Sequence, residues 1–445
     1  MAKETKNFDP SGNEGLKRAL SHDVDKLHKI PDNWCWTKFE SVAQWGSGGT
    51  PSRKKPEYYV GNIPWIKTGE LNNAYIYETE EHISEAAVAN SSAKLFPVNT
   101  VVIAMYGATI GKVGIMGIEA TTNQACACGV CSSAIDYKYL FYYAISQRDS
   151  FISMGKGGAQ PNISQEVIKQ HNIPLPPLGE QKRIVSCIES YFSKLDEARE
   201  KAEEVVDGFE ARKAAILQKA FSGELTEKWR RENKEYSYKW KTIRLGDIVS
   251  IVKDKYDPLA NENNYLPYIG LEHIQKGKGI KNFGSVADVK SLKGVFKKGD
   301  ILYGKLRPYL DKHGIAEYDG VCSTDILIYR SKSMLVSSFV NFMFSTTSFI
   351  NYSVSHSKGI NLPRTSEKVI SDYTLQLPDE DEMEVLVRSL GSLLEKEEKI
   401  EQTAEEIIGQ IDTMKKAILI RAFRGELGTN DPNEENVKEL LKRII

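Results

Sequence analysis

Two long stretches of the chain carry apolar residues at alternating steps of four and three, the spacing of one face of an α-helix. In the first stretch the series is Ile184, Ile188, Tyr191, Leu195, Ala198, Ala202, Val205, Phe209 and Ile216, broken at Arg212. In the second it is Leu386, Leu390, Leu393, Ile400, Ala404, Ile407, Ile411, Met414 and Ile418, broken at Glu397. A heptad series of this length predicts two helices with a coiled-coil seam.

Neither helical stretch contains a proline, so each is expected to run without interruption. A helix from about residue 180 to 222 would be about 60 Å long at 1.5 Å per residue, which is the length of a spacer. The periodicity favours packing of the two helices against each other but leaves parallel and antiparallel pairing open. An ordinary amphipathic helix packed on its own domain is the alternative.

The chain also repeats itself. AAILQKAFSGEL, ending at Leu225, returns as KAILIRAFRGEL, ending at Leu427, and the same shift carries Glu180 onto Glu382. Further upstream, LFPVNTVVIAMYG from Leu95 resembles VFKKGDILYG from Val295. Self-similarity at a fixed shift indicates two copies of one structural unit. Each copy is predicted to be a strand-rich domain of about 140 residues followed by one long helix.

Composition and charge then narrow the class of protein. The chain of 445 residues is 41% hydrophobic and 27% charged, which is typical of globular domains. It has no apolar run long enough for a membrane span and no signal-peptide core, so we expect a soluble cytoplasmic protein. The net charge is −1, but residues 240 to 376 carry about six more basic than acidic side chains, which permits local basic surfaces.

Candidate chemistry is sparse. Cys126, Cys128 and Cys131 cluster, but without a paired fourth ligand they favour buried strand cysteines over zinc. The segment GATIGKVG from Gly107 lacks the spacing and the Ser or Thr of a phosphate loop, so it is interpreted as a turn between strands. The acidic run from Asp379 to Glu382 suits the start of a helix, where negative charge complements the helix dipole. No catalytic or metal-binding residue is predicted.

Several phrases of the sequence are similar to those of a known family. They are NIPLPPLGEQKRIVSCI from Asn172, AFSGELTEKWRREN, the C-terminal AFRGELGTNDPNEENVKELLKRI, GSGGTPSRKKPEYYVGNIPWIKTGEL, TNQACACGV, GGAQPNIS and ILYGKLRPYLDKHGIA. Together they resemble the specificity subunits of type I restriction-modification systems, in order and over nearly the whole chain from about Trp34. One departure is LPDEDEMEV, which lacks the Pro-Pro and Glu-Gln of the first copy and predicts a differently shaped junction before the second helix.

The resemblance implies an α+β architecture with a pseudo-twofold internal repeat. Its expected parts are an N-terminal segment (1–30), target-recognition domain 1 (31–175), a first conserved helical region (176–238), target-recognition domain 2 (239–377) and a second helical region with a C-terminal tail (378–445). The two mixed α/β recognition domains are then separated by two long helices that form an antiparallel coiled coil.

The resemblance also implies a non-catalytic role. In this family each recognition domain reads one half of a bipartite site in double-stranded DNA, and the helical pair fixes the unread spacing. The expected partners are two methylation subunits and the restriction (motor and nuclease) subunits, with no membrane. No cofactor is expected on this chain, while S-adenosylmethionine, ATP and Mg²⁺ are expected on the other subunits.

Residue type and loop placement suggest which side chains contact DNA, because Arg and Lys suit guanine and phosphate, Asn and Gln suit adenine, and Tyr stacks or hydrogen-bonds. The candidates in the first domain are Thr50, Ser52, Arg53, Lys54, Lys55, Tyr106, Gln160 and Asn162, and those in the second are Lys305, Arg307, Tyr309, Lys312, Lys358, Asn361 and Arg364. Two alternative functions stay open: a stand-alone DNA-binding or antirestriction protein on the same scaffold, and an enzyme whose motif is not recognisable.

Overall fold

The long helices and the sheets between them follow the order that the sequence predicts. We describe them from a computed structural model, which describes residues 16, 19–21, 25, 27–156, 161–233, 240–260 and 265–444. The chain divides into unit 1, residues 1–200 and 408–445, and unit 2, residues 201–407. No helix in the described ranges is long and apolar enough to cross a membrane.

Unit 1 is a mixed α/β fold built on a five-stranded sheet of order β2-β9-β6-β7-β4, with a three-stranded sheet β5-β3-β8 and the pair β1-β10. The strands are β1 Cys35–Lys38, β2 Ala43–Ser47, β3 Ile63–Ile66, β4 Ala74–Ile76, β5 Glu81–Ile83, β6 Val101–Ala104, β7 Val113–Met116, β8 Thr121–Thr122, β9 Cys126–Cys131 and β10 Asn172–Leu175. The helices are α1 Phe39–Val42, α2 Glu85–Ala89, α3 Tyr137–Ser146, α4 Arg148–Ser153 and α5 Gln165–Lys169.

Unit 2 repeats this plan with a four-stranded sheet β12-β22-β19-β20, a five-stranded sheet β13-β18-β21-β14-β17 and the pairs β15-β16 and β11-β23. The strands are β11 Lys241–Arg244, β12 Val249–Ile251, β13 Lys255–Tyr256, β14 Pro267–Ile269, β15 Ile274–Gln275, β16 Gly279–Ile280, β17 Gly284–Ser285, β18 Lys293–Phe296, β19 Ile301–Gly304, β20 His313–Ile315, β21 Gly320–Cys322, β22 Ile326–Ser331 and β23 Thr374–Leu377. The further helices are α9 Met334–Phe344, α10 Thr347–Ser355 and α11 Glu367–Ser371.

The remaining helices are the spacers and their tails: α6 Leu178–Asp207, α7 Phe209–Phe221, α8 Glu227–Glu232, α12 Glu380–Phe423 and α13 Val437–Ile444. Helices α6 and α7 meet at Gly208, where the backbone hydrogen bonds continue from Gly208 N to Glu204 O and from Arg212 N to Gly208 O. The first stretch is therefore one helical path, as predicted.

The two helical paths pack antiparallel where the contacts are described within a unit. In unit 1, Arg199 bonds Asp412 at 2.6 Å, and Asp196, three residues earlier, pairs with Lys415, three residues later. In unit 2, Arg212 pairs with Glu397 at 2.7 Å. The predicted fold class, α+β with two mixed units and two long antiparallel helices, is confirmed.

Of the 18 predicted seam positions, eight are buried, five are half-buried and five are exposed. Ile184, Ile188, Ala202, Phe209, Leu386, Leu390, Ala404 and Ile411 are buried, whereas Tyr191, Ala198, Ile400, Ile407 and Met414 are exposed. The inward positions next to the exposed ones are filled by Phe192, Arg199, Glu401, Ile408 and Lys415. Three of these five, Arg199, Glu401 and Lys415, are charged; their aliphatic stems cover the seam while their charged ends pair with Asp412, Lys278 and Asp196.

Both long helices begin at a similar junction, so the predicted difference in shape is wrong. Strands β10 and β23, which precede the helices, pair with the first described strand of their own unit. Glu180 and Glu382, two residues into α6 and α12, are buried. Thr429 donates to Glu180 (3.3 Å) and Thr226 donates to Glu382 (2.6 Å), so the segment after a long helix binds the same carboxylate in each unit.

The acidic run from Asp379 to Glu382 stands at the start of α12, as predicted, and Glu382 N donates to Asp379 Oδ1 at 2.9 Å. The sequence did not show that Glu382 itself is buried: it is 1% exposed and also bonds Arg230. Glu180 accepts a hydrogen bond from Trp34 Nε1 at 2.9 Å, and burial raises the pKa of its carboxyl. Each of these two glutamates is thus a buried hydrogen-bond acceptor that joins distant segments of one unit.

Two smaller predictions concern β6 to β9 of unit 1. The GATIGKVG segment is a turn between β6 and β7, as predicted, and its Gly107 and Gly111 have φ of +62° and +73°, a region that favours glycine. Cys126 and Cys128 are buried on β9, and burial raises the pKa of the Cys128 thiol to about 12. These cysteines therefore contribute to the packed interior of the sheet.

Candidate nucleic-acid interface

Two loops of unit 2 are joined by backbone hydrogen bonds into one surface element, which we call loop pair 2 (residues 305–312 and 358–365). Arg307 N donates to Pro363 O at 2.7 Å, and Thr365 N donates to Lys305 O at 2.9 Å. Lys358 and Arg364 exchange two further backbone bonds, of 2.9 and 2.8 Å, which close the second loop on itself. Loop pair 2 is therefore a fixed platform at the end of β19.

Loop pair 2 contains all seven side chains that the sequence selected in the second domain. Arg307, Tyr309, Lys358, Asn361 and Arg364 are exposed on it. Lys305 and Lys312 also lie on it but are half-buried, and Lys312 Nζ donates to Leu271 O at 2.5 Å. Five of the seven are thus exposed, although Arg364 also forms an ion pair of 3.5 Å with Asp325. Lys312 serves first to hold the loop.

The backbone of loop pair 2 is held in a conformation that non-glycine residues seldom adopt. Arg307 and Asp311 have φ of +51° and +46°, in the left-handed region. Such residues cost about 1–3 kcal/mol each and persist where the surroundings fix them, often at functional sites. Here the conformation turns the chain twice within five residues and leaves Arg307 and Tyr309 exposed between the two turns.

Buried polar side chains support this loop from below. His313 Nε2 lies 2.9 Å from Asp311 Oδ1 and 3.0 Å from Ser345 Oγ, and His313 Nδ1 lies 2.8 Å from Asn341 Oδ1. Burial raises the pKa of the Asp311 carboxyl, but the His313 hydrogen bond and charge, with help from Lys213 and Ser345, bring it below its usual value. Asp311 is therefore held as an anion beneath the cationic loop.

Unit 1 has the equivalent element, loop pair 1 (residues 105–112 and 156–163, of which 157–160 lie outside the described residues). Gly107 N donates to Pro161 O and Ile163 N donates to Met105 O, both at 2.9 Å. Lys156 and Asn162 exchange two backbone bonds of 2.9 Å, as Lys358 and Arg364 do in unit 2. The backbone scaffold is thus the same in both units, although the side chains on it differ.

The structure brings together only some of the candidates in the first domain. Tyr106 is 45% exposed and Asn162 is exposed, and they face each other across loop pair 1 in a backbone bridge. Gln160 lies outside the described residues. Thr50 is exposed and donates to the side chain of Gln124, whose neighbour Ala125 accepts a hydrogen bond from Met105 N, so Thr50 lies near this loop pair.

The neighbouring candidates Ser52 to Lys55 are exposed, but two of them already have partners. Arg53 bonds Glu81 at 2.6 Å, its guanidinium lies 4.0 Å from the ring centre of Tyr59, and this bond lowers the pKa of Glu81. Lys55 donates to Tyr58 OH at 2.9 Å. Ser52 and Lys54 are therefore the more accessible members of this segment.

Sequence reasoning missed several exposed residues of the loop pairs. In unit 2 these are Ile360 and Leu362, which are 99% and 49% exposed. Asp325, a half-buried residue outside the loop pair, was also missed, and its Oδ1 lies 3.5 Å from Arg364. The available signal was the pair KGGAQPN (156–162) and KGINLPR (358–364), which align at the repeat shift and share Lys, Gly and Pro at the same places. The side chains that differ between these segments mark the variable part of the scaffold.

A family model described as the type I restriction modification DNA specificity domain matches residues 31–205. The specificity subunit of the type I restriction enzyme EcoKI from Escherichia coli is 23% identical over 430 residues, 90% of each chain. Residues 31–205 therefore match the specificity domain of type I restriction enzymes, and the chain is similar to the specificity subunits of these enzymes. The MjaIX specificity subunit of Methanocaldococcus jannaschii is 28% identical over 274 residues, which cover 58% of this chain and 61% of that subunit.

Solved structures of specificity subunits share the fold. The HsdS subunit from Thermoanaerobacter tengcongensis superposes with a TM-score of 0.65 at 17% identity, covering 91% of this chain and all of that one. A chain from a structure on the complex assembly and conformational transition of the type I R-M system gives a TM-score of 0.68 at 18% identity, covering 90% of this chain and 100% of that one. At these identities the likeness establishes the fold of the specificity subunit and nothing finer.

Proposed function

We propose that this chain is the DNA-reading subunit of a type I restriction-modification complex, and that each loop pair reads one half of a bipartite site. The observation that carries the proposal is the repeated scaffold: loop pairs 1 and 2 have the same backbone bonds but carry different side chains. One scaffold with two sets of side chains suits a site with two unlike halves. The match of residues 31–205 to the specificity domain, and the similarity of the chain to specificity subunits, support the same interpretation.

The exposed side chains provide the chemistry for base and phosphate contacts. Arg307, Arg364 and Lys358 can donate to guanine O6 and N7 or to phosphate oxygens, and Asn361 can bond the edge of adenine. In unit 1 the corresponding groups are Asn162 and Tyr106, with Lys54 available for phosphate. Because unit 2 carries more cationic groups on its loop pair, we expect its half-site to contribute more of the salt-dependent affinity.

The partners belong to the same proposal. Two methylation subunits bind this chain, restriction subunits join them, and the antiparallel helices set the spacing between the half-sites. The chain itself performs no catalysis and holds no cofactor; S-adenosylmethionine, ATP and Mg²⁺ are used by the other subunits. The complex acts on cellular and incoming DNA, which places it in the cytoplasm. The domain boundaries given above stay a prediction within this scheme.

The test is to co-express the chain with the methylation subunit encoded beside its gene and to sequence methylated adenines in the host DNA. We expect one bipartite motif. Arg364→Ala should then relax or change only the half of the motif read by unit 2. If Arg364 bonds a base, the substitution should weaken the free energy of binding to the motif by about 1–3 kcal/mol.

Asn162→Ala is the matched variant in unit 1 and should affect only the other half. A motif without two halves, or a substitution in one unit that alters both halves equally, would contradict the assignment. A stable complex that methylates no motif would leave a scaffold without a reading function.

A further inference from the structure

An apolar tip projects from loop pair 2. Ile360 is 99% exposed and Leu362 is 49% exposed. Between Lys358 and Ile360, Gly359 has φ of +98°, a turn that a side chain would strain. The mutual backbone bonds of Lys358 and Arg364 close the loop, so its tip is a shaped projection. Ile360 and Leu362 together give the tip of this hydrogen-bonded loop an exposed apolar surface, and such surfaces occur at interaction sites.

The surroundings of this tip indicate which ligand it meets. The two residues that close the loop, Lys358 and Arg364, are both cationic and exposed, and the adjoining loop adds exposed Arg307 and Tyr309. Cationic side chains beside an apolar tip match the DNA duplex, in which phosphates flank stacked bases. Asn361, between the two aliphatic residues, adds a group that can bond a base edge.

The equivalent loop of unit 1 differs at this tip. Where unit 2 has Ile360, Asn361 and Leu362, the first copy has Gly158, Ala159 and Gln160, while the flanking Lys, Gly and Pro are shared. The apolar tip is therefore a property of one copy of the repeat. Its contribution to recognition should be confined to one half of the site.

We propose that Ile360, with Leu362 beside it, inserts between two adjacent base pairs of the half-site read by unit 2 and partly unstacks them; this rests on the proposed DNA-reading function. Apolar wedges of this kind kink the duplex at the step they enter. The energy of doing so depends on the step, being lowest at flexible pyrimidine–purine steps such as TA and CA. Unit 2 would thus select a deformable step without a hydrogen bond to it.

The experiment uses the full chain in complex with its methylation subunit and a duplex that carries the motif found by methylation sequencing. The base analogue 2-aminopurine, whose fluorescence rises on unstacking, replaces in turn each adenine of the half read by unit 2, except the methylated one. We expect binding to raise the fluorescence at one step. Ile360→Ala should abolish that rise and weaken binding about tenfold, equivalent to about 1.4 kcal/mol.

Leu292→Ala is the matched control, because Leu292 is an aliphatic residue of unit 2 that is 52% exposed outside the loop pair. It should change neither the fluorescence nor the affinity. Because Ile360 is almost wholly exposed, its substitution should leave folding intact. To verify this, the affinity of the variant should still fall by the same factor as that of the unaltered complex when the half-site read by unit 1 is altered.

Specific binding without a fluorescence change at any of these positions would overturn the wedge and leave the reading function standing. A second result would also overturn the wedge: the affinity falls when thymine is replaced by deoxyuridine, but no fluorescence rise is seen. Ile360 would then contact a thymine methyl group in the major groove. Failure of the unaltered complex to bind its motif specifically would overturn both proposals.

Discussion

His171 is a buried titratable residue of unit 1, enclosed by aromatic side chains. Its ring centroid lies 4.7 Å from that of Phe151 and 5.4 Å from that of Phe39, and its Nε2 lies 3.2 Å from Gln147 Oε1. Burial lowers the pKa of the imidazole from its ordinary 6.5 to about 4, because the charged form loses its hydration. The folded chain therefore holds His171 neutral across the physiological range.

This burial predicts a pH dependence of stability with a definite sign. His171 takes up a proton near pH 6.5 in the unfolded chain but only near pH 4 in the folded chain. The contribution of His171 to the free energy of unfolding is therefore complete above pH 6.5 and is lost as the pH falls towards 4. Relative to His171→Gln, the unaltered protein should lose at most about 3 kcal/mol over this window. Urea unfolding of both proteins at several pH values from 7 to 4.5 measures this difference in the free energy of unfolding. If the two free energies changed with pH in parallel, the prediction would be contradicted.

The candidate DNA-contacting residues were chosen from the sequence by residue type, but their surroundings could not be predicted. Arg307, Tyr309 and Arg364 share a platform because of backbone bonds between segments more than 50 residues apart, which no local pattern encodes. Arg53 looked equally suitable, yet it is paired with Glu81. Residue type predicts what a side chain can bond, whereas tertiary contacts decide whether it is free to do so.

At the level of the helices, the sequence pattern predicted the existence and length of each spacer but only part of its inward face. The pattern treated Arg212 and Glu397 as breaks in the seam, whereas they pair with each other. It treated Ile400, Ile407 and Met414 as seam residues, whereas Glu401, Ile408 and Lys415 face inward. The spacing of apolar residues alone cannot show which of two adjacent positions faces the partner helix. Charged residues can occupy the inward position when they pair across the helices.

The corrected register can be tested with two isoleucines one turn apart on α12. Ile411 is 1% exposed, whereas Ile407 is 42% exposed. Ile411→Ala should lower the free energy of unfolding by about 2–4 kcal/mol, because it removes buried methyl groups and leaves a cavity. Ile407→Ala should change it by about 0.5 kcal/mol or less. The urea midpoints of the two variants test this register. Equal losses of stability would mean that Ile407 also faces the partner helix, as the apolar pattern first predicted.

For the whole molecule, the internal repeat was the most informative signal in the sequence. It predicted that segments at a fixed shift occupy equivalent places, and both the loop pairs and the buried Glu180 and Glu382 follow that rule. It could not predict that the junction before α12 keeps its structure without the Pro-Pro and Glu-Gln motif. The shared element there is one carboxylate bound by a threonine hydroxyl, and a single retained residue does not stand out in a diverged motif.

The proposed spacing role of the helices leads to a prediction for the complete complex. One heptad inserted after Arg199 and another before Asp412 would lengthen both helices at facing positions and keep their antiparallel seam. Seven residues add about 10.5 Å, or about three base pairs, to the distance spanned. Methylation sequencing should then find the same two half-sites separated by about three more base pairs.

A heptad inserted in one helix alone is the matched control. With the heptad after Arg199 alone, the helices could not keep both the Arg199–Asp412 pair and the Arg212–Glu397 pair, so we expect an unstable chain and no methylated motif. If the doubly extended protein were stable and methylated its motif at the original spacing, the distance between the half-sites would have to be set by something other than helix length. An intermediate shift of one or two base pairs would mean that the helices run obliquely to the DNA.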